Sequence, residues 1–363
     1  MGAAGYGGPG AMMWCEHSRA HAAGPETGGR CSITVDDLGE FGLIAAIKAL
    51  LPVGPAQILG IGDDAAVVRA PDRRVVATTD LLVEGRHFRR DWSGAFDIGG
   101  KAAAQNLADI AAMGANPTAL LVGLATPGDL AVTWAEDLAR GLADECARAG
   151  ASVVGGDVVG ADSVMLAVTA LGDLDGREPV TRSGARAGDL LAVAGPLGRS
   201  AAGLGLLKAG AAGTTGAAGA ETAGTAELAG LVTSHRRPRP PYDAGPEAAD
   251  LGATSMIDIS DGLVADLRHV AEASGVLIDI DAGRLPDDPA LRSAAVALGA
   301  DWLTWVLTGG EDHALAATFP RGTGLPGRWT VIGEVRQGLG VTVNSRAVDG
   351  PGGWTHFGRP ASR

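Results

Sequence analysis

Arg74-Val75-Val76-Ala77-Thr78-Thr79-Asp80 is a short, largely β-branched run that closes on a carboxylate. It reads as a strand over 74–79, ending at Thr78-Thr79-Asp80. Helical patterns follow from about Ile98 to Met113 and from Thr133 to Ala149, with strands expected at 151–154 and 164–171. Alternation of this kind indicates an α/β domain reaching about residue 180. Beyond it, Gly195-Pro196 breaks a strand at 189–194, and a helix near 199–208 follows. A strand at 254–259, a helix at 261–274 and strands near 276–281, 313–319, 329–335 and 341–348 complete a second unit. Upstream, Asp36-Asp37 is expected to cap a helix that carries Phe41, Ile44, Ile47 and Leu51 on one face. The Gly- and Ala-rich residues 1–32 read as a disordered extension, and the Gly-Ala-Thr insert 209–228 as a mobile loop. The resulting division is 1–32, a domain at 33–183 and a domain at 184–358.

The chain has 363 residues, 46% of them hydrophobic, which is enough for two ordinary cores. Its net charge of −13 lacks the basic footprint of a nucleic-acid binder. The stretch 110–128 is uncharged but is broken by Asn116, Pro117 and several Gly, so it does not read as a bilayer helix. No secretory signal is evident at the start. Cys15, Cys31 and Cys146 form no C-x-x-C pair, which leaves zinc and a disulfide framework without support and fits a reducing cytoplasm.

Four segments share one form, small residues leading into carboxylates: Gly60-Ile61-Gly62-Asp63-Asp64, Thr78-Thr79-Asp80, Gly155-Gly156-Asp157 and Asp258-Ile259-Ser260-Asp261-Gly262. A fifth carboxylate, Asp109, lies one helical turn beyond Asn106, so the two share a face. Each segment alone reads as an ordinary turn or cap. Together they supply hard oxygen ligands beside glycines, which suits Mg²⁺ held with phosphate oxygens and water. Asp258 and Ser260 precede a helix start, where N–H groups and the dipole favour an anion. No Walker motif is present; the nearest approach, Gly94 to Gly99-Gly100-Lys101, continues with Ala102 where Ser or Thr is needed.

The ordered series GIGDDAAV (60–67), TTDLLVEGRHF (78–88), NLADIAAMGANP (106–117), GGD (155–157), TRSGARAGD (181–189), IDISDGL (257–263), LTGGEDHAL (307–315) and GWTHF (353–357) resembles the thiamine-monophosphate kinases. These belong to the superfamily of aminoimidazole ribonucleotide synthetase and selenophosphate synthetase. The resemblance covers about 33–358. It implies an N-terminal PurM-like α/β domain that pairs in a homodimer, a C-terminal α+β domain, and ATP-dependent phosphorylation of thiamine monophosphate to thiamine diphosphate. By the same resemblance Asp64, Thr78, Thr79, Asp80, Asp109, Asp157, Asp258 and Asp261 match Mg²⁺ ligands. Gly156, Asp157, Arg182 and Ser260 match ATP contacts, and His87, Glu311 and Trp354 match thiamine monophosphate contacts. Asp80, Asp261 and Arg182 are the residues expected to matter most for catalysis.

His313 stands where relatives often carry Tyr and reads as a strand residue facing its neighbours. Trp354 has two readings, a plug on the C-terminal strand or a ring face for the thiazolium cation. Because the acceptor is itself a phosphate, no strong general base is required, and direct transfer without a phosphoenzyme is expected. Two rivals remain open: a different enzyme of the superfamily, and a catalytically silent sensor of the same fold. Cys31 lacks the glycine-rich setting of a selenophosphate synthetase, and the chain ends Pro360-Ala361-Ser362-Arg363 without the cysteine of the hydrogenase-maturation relatives.

Overall fold

The computed structural model describes residues 33–61, 65–211 and 226–355. Residues 1–32, Asp64, most of the expected insert 209–228, and His356 and Phe357 lie outside the described residues. In chain order the first half forms α1 (Val35–Lys48), a ribbon of β1 (Gln57–Leu59) and β2 (Val67–Val68), β3 (Val76–Val83), α2 (Ala95–Ala112), β4 (Asn116–Thr126), α3 (Val132–Ala149), β5 (Ser152–Gly160) and β6 (Met165–Asp173). The second half forms β7 (Leu190–Ala194), α4 (Arg199–Leu206), α5 (Ala226–Arg236), α6 (Ala244–Asp250), β8 (Ser255–Asp258), α7 (Leu263–Ser274), β9 (Leu277–Ile280), α8 (Pro289–Leu298), α9 (Trp302–Thr308), β10 (Leu315–Phe319), β11 (Trp329–Arg336), β12 (Gly340–Val343) and β13 (Arg346–Ala347).

Several local expectations are corrected. The cap of α1 is Thr34, not Asp36-Asp37: its Oγ1 accepts the Asp37 N–H at 3.3 Å, and its own N–H donates to Asp37 Oδ2 at 3.0 Å, a reciprocal pair that satisfies both ends. Leu43 is the buried residue of this helix, whereas Phe41 is 81% exposed. β3 continues past Asp80 through Leu81-Leu82-Val83, so Thr78, Thr79 and Asp80 lie mid-strand. Gly155-Gly156-Asp157 is not a turn either; it sits inside β5, with Gly156 beside Val122 and Asp157 beside Gly123 of β4. The strand expected at 341–348 is the hairpin β12–β13, turned by Asn344 and Ser345 at positive φ. Of the expected loop 209–228, residues 209–211 belong to a π-helical turn and 226–228 begin α5.

β3, β6, β4 and β5 make a four-stranded sheet in that order, with β4 antiparallel to β6 and parallel to β5. The remaining strands make a seven-stranded sheet in the order β13-β12-β9-β11-β7-β10-β8. Between the sheets runs α2, which is small or apolar on nearly every side and correspondingly buried almost throughout. Ile98, Leu107 and Ile110 of α2 share one core with Leu166 and Val168 of β6 and with Met256, Leu315 and Phe319 of the second sheet. Each such side chain contributes roughly 1.5–3 kcal/mol on burial. A Cβ at Gly99 would meet the Leu138 carbonyl at 2.1 Å, and one at Gly141 the Phe96 carbonyl at 2.0 Å. Glycine at both positions is what lets α2 and α3 cross in direct backbone contact. A second core lies on the other side of the large sheet, where Leu191, Ile257 and Ile278 meet Leu267 and Val270 of α7.

Candidate active site

Strand alternation decides which side chains of β3 meet α2. Thr78 and Asp80 lie on the helix side. Thr78 Oγ1 donates to Asp109 Oδ2 at 2.8 Å, the Asp80 N–H donates to Asn106 Oδ1 at 3.0 Å, and Gln105 Nε2 donates to Asp80 Oδ2 at 3.2 Å. The shared face of Asn106 and Asp109 is thus used as expected, and Asn106 satisfies a backbone donor that an edge strand leaves open. Burial, then the charges of Asp258 and Asp80, push the Asp109 carboxyl up to about 7.

Asp258 ends β8 and is buried, with His313 Nδ1 3.1 Å from its Oδ2. His313 precedes β10 in a left-handed conformation rather than lying in a strand. Burial pulls its imidazole down, but the hydrogen bond and charge of Asp258 outweigh that and hold it above the usual range. The turn after Asp258 is organised by Asp266, one turn into α7. A single oxygen, Asp266 Oδ2, accepts the N–H groups of Ser260, Asp261 and Gly262, each at 3.0 Å. The N–H groups of Ser260, Asp261 and Gly262, just ahead of the helix, are thus engaged by the helix's own carboxylate.

Thr78, Asp109, Arg182 and Asp258 line one depression of about 440 Å³. The other predicted ligands are not all brought there. Thr79 points to the opposite face of the sheet, where its Oγ1 donates to the Val168 carbonyl. Asp157 and Gly156 lie on β5, at the far edge from β3 and about 14 Å away across three strand spacings. Together they line a separate, small apolar cleft of about 70 Å³ with Ile44, Ile47 and Leu51.

Each of the three predicted substrate contacts is held by the fold. Trp354 is 59% exposed, and its N–H donates to the Asp261 carbonyl at 2.9 Å. His87 follows β3, and its Nδ1 accepts the Val83 N–H at 3.0 Å. Glu311 adopts φ 64° and pairs through Oε1 with Lys101 Nζ at 3.0 Å; its Oε2 lies 3.4 Å from His235 Nδ1. Burial pushes the Glu311 carboxyl up, but Lys101 and His235 more than offset it, so it sits below the ordinary range. Burial and then Lys101 push His235 down to about 4. Between pH 6.5 and 4 the unfolded chain therefore takes up a proton that the folded one refuses. Stability is expected to fall as pH drops through this window, by up to roughly 3 kcal/mol. His235→Gln should flatten that part of the curve; pH-dependent melts with an unchanged slope would count against it.

Residues 62–174 match the family model described as AIR synthase related protein, N-terminal domain. Across 331 residues the chain is 48% identical to a thiamine-monophosphate kinase of Mycobacterium tuberculosis, covering 91% of this chain and 95% of the relative. The chain belongs to the thiamine-monophosphate kinase family. A family member of Aquifex aeolicus is 37% identical over 88% of this chain and 99% of its own length. Among solved structures, the thiamine-monophosphate kinase from Stenotrophomonas maltophilia superposes with a TM-score of 0.74 at 34% identity, covering 86% of this chain and 98% of that one. AaThiL complexed with AMPPCP and TMP superposes with a TM-score of 0.72 at 35% identity, covering 90% and 99%.

Against this family background, the donor set is compatible with Mg²⁺. Thr78, Asp80, Asp109 and Asp258 offer hard oxygens only, and the Asp109 carboxyl, raised first by burial and then by the charges of Asp258 and Asp80, is one whose ionised form a cation would favour. Among the described residues no three acidic or histidine side chains converge closely enough to hold a metal alone. That spacing suits an ion that keeps water and phosphate oxygens in its shell. Sequence reasoning missed Lys101, His235 and Asp266. Lys101 had been tested only against a phosphate-loop pattern, and the other two carry no local motif.

Proposed function

We propose that this chain transfers the γ-phosphoryl group of ATP to thiamine monophosphate, forming thiamine diphosphate in its biosynthesis. The observation that carries this reading is the 48% identity to a thiamine-monophosphate kinase along nearly the whole chain. Incubating the purified protein with ATP, Mg²⁺ and thiamine monophosphate should yield thiamine diphosphate. Absence of product with folded protein would sink the reading and favour the silent sensor.

In this proposal Asp80, Asp109, Asp258 and Asp261, with Thr78, would hold Mg²⁺ at this depression; Asp64 completes the set, while Thr79, on the other face of the sheet, and Asp157, on its far strand, would contact an ion only away from that cluster. The metal supplies charge neutralisation for the two phosphates. Arg182 would bind the ATP phosphates through charge-assisted hydrogen bonds with Ser260 beside it, and Gly156 and Asp157 would reach a nucleotide only from the separate cleft that they line. The substrate phosphate oxygen is the nucleophile, and the chain's own task is to align it, so no covalent phosphoprotein forms. Residues 33–183 act as the ATP- and Mg²⁺-binding domain and 184–358 as its companion. A homodimer is included in the proposal. It is supported by the open face of the four-stranded sheet, where Leu81, Leu121, Val159 and Met165 are exposed together. A cytoplasmic location completes the reading, supported by the free thiol of Cys146. Among the described residues no helix is long and apolar enough to cross a membrane.

His87, Glu311 and Trp354 are the proposed substrate contacts. The exposure of Trp354 favours a ligand face over a plug, since a plug is covered. Trp354→Ala is expected to raise KM for thiamine monophosphate by about 3- to 30-fold with KM for ATP little changed, and Trp354→Phe to recover part of the loss. A large drop in melting temperature with both substrates equally affected would identify a structural role instead.

A further inference from the structure

We propose that Lys101 is a positioning residue for thiamine monophosphate, acting through Glu311; this rests on the function proposed above. Lys101 lies on α2 with its side chain only 3% exposed. A buried ammonium needs oxygen partners, and Lys101 has two from distant parts of the chain. Its Nζ donates to the His87 carbonyl at 3.1 Å and pairs with Glu311 Oε1 at 3.0 Å. The first partner follows β3 in the four-stranded sheet; the second belongs to the loop entering β10 of the seven-stranded sheet. The ammonium therefore fixes Glu311 against a frame set by the other sheet.

The environment of Glu311 explains why this fixing matters. Its backbone is left-handed, a conformation that a non-glycine residue holds only where its surroundings impose it. Its Oε2 lies at a longer 3.4 Å from His235 Nδ1, which is also 3.0 Å from Ser200 Oγ. Lys101 is thus the principal cation on this carboxylate, while a third of the Glu311 side chain stays accessible. Thiamine monophosphate presents a fixed thiazolium cation and the N–H donors of an aminopyrimidine. An ionised carboxylate in one fixed orientation recognises either group, and a mobile or protonated one recognises neither well. ATP presents no such cation, so the effect of Lys101 should divide between the two substrates.

The test compares wild type with Lys101→Met, Lys101→Arg, Glu311→Gln and the charge-balanced double variant. Each substrate is varied with the other saturating, and binding of thiamine monophosphate is measured by calorimetry without ATP. Lys101→Met should raise both KM and Kd for thiamine monophosphate by about 10-fold or more, with KM for ATP within about twofold. Lys101→Arg keeps the charge but not the point geometry, and should raise that KM about threefold or more. Because Lys101 acts through Glu311, the double variant should bind no worse than Glu311→Gln alone. If Lys101→Met does not fold, Lys101→Arg and the double variant decide the matter. Equal rises for both substrates, an Arg variant equal to wild type, or a double variant about 10-fold weaker than Glu311→Gln would each overturn the inference. A wild-type protein that neither binds nor phosphorylates thiamine monophosphate sinks both this inference and the function beneath it; an active wild type with an unaffected Lys101→Met sinks this inference alone.

Discussion

Asp80→Asn is expected to lower turnover by about 100-fold or more while the protein stays folded. The main-chain bond that seats this residue, from its N–H to Asn106, does not involve the side chain and survives the substitution. What is lost is one negative charge beside a depression lined by Asp109 and Asp258. Removing a like charge there relieves repulsion, so the melting temperature should hold or rise. The activity loss then reflects ligand chemistry and not unfolding. Asp261→Asn should behave similarly, because its backbone is pinned by Asp266 and by Trp354 whatever its side chain. Near-normal turnover of folded Asp80→Asn protein at limiting Mg²⁺ would remove Asp80 from the ligand set.

Asp266→Ala is expected to destabilise the protein by about 3–5 kcal/mol. One buried carboxylate oxygen satisfies three consecutive backbone donors, and a buried unpaired N–H costs about 1–3 kcal/mol. Partial access of water to the turn keeps the sum below its upper limit. Asp266→Asn retains an acceptor of the same shape and should recover most of the loss. Turnover of Asp266→Ala, measured below its melting temperature, should also fall, because Ser260 and Asp261 depend on the same turn. Urea unfolding reads the stability directly; a change under about 1 kcal/mol would mean that the three N–H groups find other acceptors.

The helices at 98–113 and 133–149 were legible because their periodic patterns are long, and they end within a few residues of where they were expected. β4 went unread, although it is central in its sheet. Its apolar run has no alternation, since one face meets α2 and the other is half-covered, and the stretch was weighed only as a membrane span, against which Pro117 told. Gly155-Gly156-Asp157 was misread for a related reason: three residues of turn chemistry carry no trace of the parallel partner 34 residues upstream. Within the site, Asn106 and Asp109 were legible because helical spacing alone places them together. Asp266 was not, because an acidic residue early in a helix is ordinary, and only the folded turn shows three donors converging on it. The seating of Asp258 against His313 likewise joins residues 55 positions apart that no local pattern connects.

The acidic depression also acts as a filter on the form in which a polyphosphate arrives. Asp109 and Asp258 in its lining and Asp80 beside it set a negative field around Thr78 that Arg182 and the His313 paired with Asp258 offset only in part. Uncomplexed ATP carries up to about four negative charges and is repelled by such a field, whereas the same nucleotide chelated by a divalent cation loses much of that penalty. Free nucleotide in excess over metal should therefore be a poor competitor for the site, and the enzyme should respond to the concentration of the chelate and not to total ATP.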